Sequence, residues 1–247
     1  MSLELLRLLE SNARESSAVD RECVRVGPFL ALIEPKDPMI WINHAVPVGP
    51  LGDPDAAVAA VGELRRVFAD RNRRLRFEYF EALWPDLPGI LERAGLVEQA
   101  RQPLMACDRG ELREPTPKVR VTVRRVAADA PVETLLAVRD VHARGFGETL
   151  SPFDEADARA RLADGRHWTV LAETDGNSVG AAMLTPPPGG KVTEMVGVAT
   201  VPEARRKGVA AAACAKLCRM WFDSGGETVW LSAGDEAARS LYASLGF

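Results

Sequence analysis

The chain has 247 residues, 31 basic against 35 acidic, for a net charge of −4. That balance argues against a general nucleic-acid binder, and 47% hydrophobic with 27% charged residues is an ordinary soluble composition. No apolar run approaches the ~20 residues that span a bilayer, no charged-then-apolar leader opens the chain, and the length suits two modest domains or one large one.

Leu3, Leu5, Leu6, Leu8 and Leu9 give residues 3–16 one broad apolar side, a helix pattern. Residues 24–33 read as one strand, Pro35-Lys36-Asp37-Pro38 as a turn, and 39–48 as the returning strand of a hairpin. Asp53-Pro54-Asp55 starts a helix that runs to about Arg71, because proline and acids suit a first turn. Residues 74–80 alternate like a strand, 87–94 form a short helix stopped by Gly95, and 100–107 read as a further strand. The polar, proline-bearing stretch 108–117 is the expected linker.

Beyond it, 119–126 read as a strand and Pro131 opens a helix to about Arg144. A loop at 145–152 carries two glycines, and 154–163 are helical. Strands 168–173 and 178–184 flank Asp175-Gly176-Asn177, a hairpin signal. A turn at 186–190, a strand at 194–201, a helix at 207–223, a strand at 228–232 and a helix at 235–245 complete the chain.

Cys23, Cys107, Cys214 and Cys218 form no CxxC pair, which fits reduced thiols and a cytoplasmic location. Cys214 and Cys218 share a helix face without a third ligand nearby, so buried thiols are expected and no metal. His44, His142 and His167 stand in no metal or nucleophile spacing, and His142, near a helix end, is expected to meet the helix dipole or solvent.

The stretch from Val198 to Ala210 carries the chemistry. An apolar strand ends at Pro202, then Arg205, Arg206, Lys207 and Gly208 lead into the alanines of a helix. The first N–H groups of a helix lack internal partners and carry positive potential, so a phosphate is favoured there. Gly208 would allow close backbone approach to a ligand, and the three cations add charge that forks onto phosphate oxygens. An ordinary basic surface turn has the same composition.

Arg205-x-x-Gly208-x-Ala210 after a strand resembles the [Q/R]-x-x-G-x-[G/A] signature of the GNAT superfamily of N-acetyltransferases. Asp235-x-x-Ala238-x-x-Leu241-Tyr242-x-x-Leu245-Gly246-Phe247 is similar to the family's N-x-x-A-x-x-L-Y-x-x-x-G-F helix. The resemblance covers residues 118–247 and implies an α/β fold with a central, mostly antiparallel mixed sheet flanked by helices. Phe247 falls where the family continues with further strands, and the strand at 100–107 is the expected filler of that edge.

By resemblance, the co-substrate is acetyl-CoA. Arg205, Arg206, Lys207, Gly208, Val209 and Ala210 would hold its pyrophosphate. Val198, Ala199 and Thr200 would line its pantetheine arm, with one backbone N–H polarising the thioester carbonyl. Tyr242 takes the position of the general acid that protonates the departing sulfur, which a phenol with pKa ~10 suits unperturbed. Asp235 stands in place of asparagine; ionised, it accepts but does not donate, so an N-cap role competes with a coenzyme contact. Glu194 has the parity of Val196, Val198 and Thr200 and stands where the histone-type members carry a general base. Phe146, Glu148 and Phe153, with Asp154, Glu155 and Asp157 nearby, are acceptor-pocket candidates whose acidity suits a cationic amine.

The halves also superpose in sequence at a constant offset of 151 residues: Leu87, Ile90, Leu91, Gly95 and Leu96 fall on Ala238, Leu241, Tyr242, Gly246 and Phe247. Asp55 then meets Arg206 and Ala57 meets Gly208, so the small and apolar positions persist while the anion chemistry does not. The expectation is a tandem of GNAT-like domains, a degenerate one at 1–110 and an acetyltransferase domain at 118–247. The expected function is acetyl transfer to a primary amine of a small molecule or peptide, without nucleic acid or membrane, and with a homodimer allowed. A catalytically weak CoA-binding sensor or interaction module is the alternative.

Overall fold

The computed structural model describes residues 1–149, 152–165, 167–186 and 190–247. They form two compact units, Met1–Arg101 and Gln102–Phe247.

The first unit contains α1 (Leu3–Ala18), β1 (Glu22–Val26), β2 (Phe29–Ile33), β3 (His44–Pro47), α2 (Pro54–Ala69) and α3 (Leu87–Arg93). Its antiparallel sheet has the order β1-β2-β3. The single strand expected at 24–33 is itself a hairpin, because Gly27 sits at φ +54° and turns the chain before Pro28. The strand expected at 39–48 shrinks to β3. The buried Asn43 amide donates to the carbonyls of Asp37 and Met39 at 2.9 and 2.7 Å, coiling the segment before it. The strand expected at 74–80 is a single parallel bridge, in which Ala45 N–H donates to the Arg76 carbonyl at 2.7 Å and Glu78 N–H to the Ala45 carbonyl at 3.1 Å. As read from sequence, Asp53 caps α2, accepting from Ala56 N–H at 2.8 Å. Phe29, Ile33, Val61, Leu64, Phe68 and Leu87 fill the core between sheet and helices.

The second unit runs through β4 (Leu104–Asp108), β5 (Thr122–Val126), α4 (Val132–Phe146), α5 (Glu155–Ala163), β6 (Trp168–Thr174) and β7 (Asn177–Thr185). It continues with β8 (Val192–Thr200), α6 (Val209–Asp223), β9 (Thr228–Ser232) and α7 (Glu236–Ser244). The sheet order is β4-β9-β8-β7-β6-β5. Every pairing is antiparallel except β8 with β9, which are joined by the crossover helix α6. The strand expected to fill the edge does so: β4 pairs with β9 from Leu104 opposite Ser232 to Asp108 opposite Thr228. Most of the turn expected at 186–190 lies outside the described residues.

Helices α4 and α6 take opposite faces of the sheet. A Cβ on Gly145 of α4 would lie 2.9 Å from the Ala199 Cβ, and one on Gly180 of β7 would lie 2.5 Å from Val209 of α6. Ala199 pairs with Ala181 and Thr200 with Gly180, adjacent positions whose side chains point to opposite faces.

The stretch expected as a linker is instead a strap fastened across the second unit. Arg113 N–H donates to the Leu245 carbonyl at 2.9 Å, Glu114 pairs with Arg219 of α6, and Lys118 N–H donates to the Lys207 carbonyl at 3.0 Å. Its polar composition belongs to the exposed side of a pinned segment. The two units divide ahead of it, between Arg101 and Gln102.

The offset of 151 residues recurs in backbone bonding. Leu96 N–H donates to Leu91 and Gly95 N–H to Glu92 after α3, and Phe247 N–H donates to Tyr242 and Gly246 N–H to Ala243 after α7. Both units contain the succession helix, hairpin, strand, helix, extended pairing segment, helix, which in the second unit begins only at α5, after β4, β5 and α4.

Candidate functional site

The site begins with a fork in the sheet. Strand β8 pairs with β9 only over Val192–Glu194, opposite Thr228–Trp230. From Met195 to Thr200 it keeps β7 on one side and has no strand on the other among the described residues. Backbone groups along that free edge need partners from elsewhere.

A bulge reshapes the same segment. Val196 pairs with Met183 and Ala199 with Ala181, so Gly197 and Val198 together oppose Ala182. Gly197 lies at φ +60°, the left-handed glycine of such a bulge. The extra residue reverses the side-chain alternation beyond it. Glu194 and Val196 therefore share the α4 face with Ala199, and Thr200 lies on the face of Met195. The parity expected to join Glu194 to Val198 and Thr200 is broken by this insertion. Glu194 sits at the closed end of the fork, on the last pair that β8 makes with β9.

At the open end stands the basic turn. Gly208, at φ +89°, precedes α6, whose first turn carries no side-chain cap. The first helical bond is Ala212 N–H to the Gly208 carbonyl at 3.0 Å, so the preceding N–H groups face outward from the ladder. Arg206, itself at φ +61°, and Lys207 make no side-chain hydrogen bond or ion pair among the described residues. Thr200 Oγ1 is buried and has no hydrogen-bond partner among the described residues. An uncapped helix start, two uncommitted cations and an orphaned hydroxyl together fit a phosphate-bearing ligand.

Two members of the turn have other work. Arg205 donates to the carbonyls of Thr200 and Gly145. The hydrogen side of Gly208 meets Pro117, whose Cα would stand 2.7 Å from an added Cβ. The glycine thus makes room for the strap and not for a ligand. Val209 is buried against the sheet and Ala210 is half-buried.

Tyr242 on α7 is 7% exposed. Burial pushes its phenol well above the usual range, and the nearby Cys214, once ionised, and Asp235 add to the push. The expectation of an unperturbed phenol is therefore corrected: Tyr242 is held as a neutral hydrogen-bond donor. Asp235 caps α7, its carboxylate accepting from Ala238 N–H at 2.7 Å. Cys214 and Cys218 are buried thiols on α6, with burial raising Cys214 to about 12. No cluster of His, Cys, Asp and Glu among the described residues is arranged for a metal.

The acidic stretch after α4 is largely neutralised. Asp154 caps α5 by accepting from Asp157 N–H at 3.0 Å, Glu155 pairs with Arg159 at 2.8 Å and Asp157 with Arg161 at 2.8 Å. Phe146 is half exposed at the end of α4, while residues 150 and 151 of its loop lie outside the described residues.

The residue missed from sequence is His142. It faces neither solvent nor the helix end but reaches the bulge, its Nε2 lying 2.8 Å from the Gly197 carbonyl oxygen. Burial lowers its pKa, the Gly197 bond opposing that trend, so the ring is held neutral. The only signal in the sequence was a glycine inside a strand, a mark of bulges or close approach.

Residues 135–247 match the acetyltransferase (GNAT) family. No curated protein matches the chain. Among solved structures, a GCN5-related N-acetyltransferase from Kribbella flavida is similar over 99% of this chain and 92% of its own, with 27% identity and TM-score 0.81. A functionally unknown conserved protein from Staphylococcus epidermidis is similar over 92% of this chain and 90% of its own, with 14% identity and TM-score 0.60. An aminoglycoside acetyltransferase from an uncultured soil metagenomic sample is similar over 51% of this chain and 86% of its own, with 15% identity and TM-score 0.46.

Proposed function

The C-terminal unit belongs to the acetyltransferase (GNAT) family, and from that premise we propose that it transfers acetyl from acetyl-CoA to a primary amine of a small molecule or peptide. The observation that carries this reading is the fork: a strand edge left unpaired, leading to an uncapped helix start beside Arg206 and Lys207. The bound co-substrate supplies the acetyl group as an activated thioester.

The chain's own groups divide the remaining work. Backbone groups of Val198 and Thr200 pair with the pantetheine arm, with Ala199 beside them, and the Val198 N–H polarises the thioester carbonyl as negative charge builds on its oxygen. The N–H groups of Gly208, Val209 and Ala210 hold the pyrophosphate with Arg206 and Lys207, and Arg205 braces the turn. Tyr242, kept protonated by its burial, donates to the sulfur as the bond breaks. Glu194, at the root of the fork, takes the proton of the attacking amine. Asp235 acts on the ligand only indirectly, by fixing the start of the helix that carries Tyr242.

For the first unit the proposal is a degenerate GNAT-like domain that binds no coenzyme. The recurring offset in backbone bonding supports duplication. The acid Asp55, paired with Arg93, stands where Arg206 stands in the second unit. The buried free thiols suit a reducing, cytoplasmic setting.

Thermal unfolding with and without acetyl-CoA tests the site, beside an Arg206→Glu variant. Ligand at ~100 times its dissociation constant adds ~2.7 kcal/mol of stability to the parent. The variant loses that gain. An amine panel with detection of released thiol then separates an enzyme from a binding module, which would keep the gain without turnover. No gain in the parent at saturating co-substrate would refute the reading.

A further inference from the structure

We infer that His142 is a positioning residue that locks the Gly197–Val198 peptide in the one orientation that presents the Val198 N–H for catalysis. The inference rests on the acetyl-transfer reading above and adds to it a residue on a different element, 55 positions away in sequence.

Three observations converge. First, the peptide in question is the soft point of the strand. Gly197 is the left-handed residue of a two-against-one bulge, and the orientation of the peptide after it is set by ψ of Gly197 with φ of Val198; with no Cβ at 197 that ψ is little restricted, so the peptide can turn over at modest cost. Second, the peptide is planar and trans, so its C=O and N–H point in opposite directions. Holding the Gly197 carbonyl toward α4 therefore fixes the Val198 N–H away from α4. Third, the group that holds the carbonyl is built in with little slack. His142 Nε2 lies 2.8 Å from the Gly197 oxygen, and the Phe146 ring stacks on the imidazole with centroids 6.0 Å apart. A Cβ at position 197 would come within 2.8 Å of Met183 Cε and 3.2 Å of the same Nε2.

The carbonyl can only accept, so Nε2 carries the proton and the neutral ring leaves Nδ1 bare. The imidazole does not touch the reacting atoms. It acts through the backbone, by keeping one of two peptide orientations populated.

The test reads the orientation directly. [1-¹³C]Acetyl-CoA is bound to the parent, to His142→Leu and to His142→Gln, and the thioester carbonyl stretch is recorded by difference infrared spectroscopy. Calorimetry gives the dissociation constant of each complex, and thermal melting confirms that each variant is folded. The Gln amide places a donor near the position of Nε2; Leu fills the space without one. The expected result is a stretch lowered in the parent, returned toward its free-solution frequency in His142→Leu, and lowered again in His142→Gln. Dissociation constants stay within about threefold throughout, under 1 kcal/mol on the affinity scale.

A lowered stretch that survives in His142→Leu overturns the inference, and so does a failure of Gln to restore it. A parent that binds acetyl-CoA with an unshifted carbonyl overturns the inference while leaving the coenzyme site standing. A parent that does not bind acetyl-CoA refutes the functional reading and the inference with it.

Discussion

Arg205 donates from Nη2 to the carbonyl of Gly145 at 2.8 Å, across 60 residues of sequence, and from Nε to the carbonyl of Thr200 at 3.3 Å. The first cation of the basic turn is thereby a brace between α4 and the end of β8. The two cations after it, Arg206 and Lys207, make no side-chain hydrogen bond or ion pair among the described residues. Arg205→Ala should cost ~1 kcal/mol of stability, since both bonds are charge-assisted but exposed. Arg206→Ala should leave stability unchanged and weaken acetyl-CoA binding ~10-fold, the loss of one charged contact. Denaturant midpoints and calorimetry on the two variants separate these roles. Equal binding loss with equal stability in both would dissolve the distinction.

Gly208 is constrained twice, by φ +89° and by Pro117. Gly208→Ala should therefore destabilise the second unit by ~2 kcal/mol or more, from left-handed strain of ~1 kcal/mol plus displacement of the strap. Gly110→Ala, at a site with open space and no positive φ, is the control and should be near neutral. A silent Gly208→Ala in urea unfolding would mean that the strap yields freely.

The chain has two tyrosines, Tyr79 and Tyr242, and burial is the leading cause that raises both above the usual phenol value. Both should ionise at higher pH than the tyrosines of the denatured chain. Ultraviolet titration of the folded protein should thus show less tyrosinate absorbance at pH ~10 than the denatured chain, which is near half-ionised there. Tyr242→Phe should leave only the Tyr79 transition, lower turnover ~100-fold and spare co-substrate binding. Full turnover in that variant would remove the hydroxyl from the mechanism.

His44 gives the first unit an acid-sensitive core. Its side chain is buried in β3, and burial lowers its pKa to about 4, with Glu78 pulling weakly the other way. Between that value and the ~6.5 of an unfolded imidazole, the unfolded chain binds the extra proton. Stability is therefore complete above pH ~6.5 and falls as pH drops toward 4, by about 2 kcal/mol at pH 5. Urea unfolding at pH 7 and pH 5 should reveal this slope in the parent, and His44→Gln should flatten it. An unchanged slope in the variant would assign the acid sensitivity elsewhere.

Much of the framework was legible because it rests on local chemistry. Asp53 with Pro54, Asp154 and Asp235 announce helix starts, and each caps the helix it precedes. Asp175 and Gly176 both adopt positive φ, as a tight hairpin requires. What escaped the sequence depends on distant partners. Gly27 split an apolar run whose composition reads as one strand. The Asn43 side chain coiled a segment that alternation makes extended. The bulge at Gly197 and Val198 inverted the facing of everything after it, and with it the relation of Glu194 to Thr200. His142 stands in no motif, and Arg205 reads in sequence as a phosphate ligand; the carbonyls that each meets are brought to it only by the fold.

The pairing of β4 with β9 has a consequence for synthesis. Thr228 Oγ1 donates to the Asp108 carboxylate at 2.6 Å across 120 residues, so the sheet's edge strand emerges from the ribosome long before its partner. At ~5–20 residues per second the wait is on the order of 10 seconds. Through that interval the nascent β4 presents Leu104 and Met105 on an open strand edge. A contact this remote closes late and slowly. The most vulnerable moment for aggregation is therefore just before residues 228–232 arrive, and a ribosome stalled there would hold a chain with every strand but the one that seals its sheet.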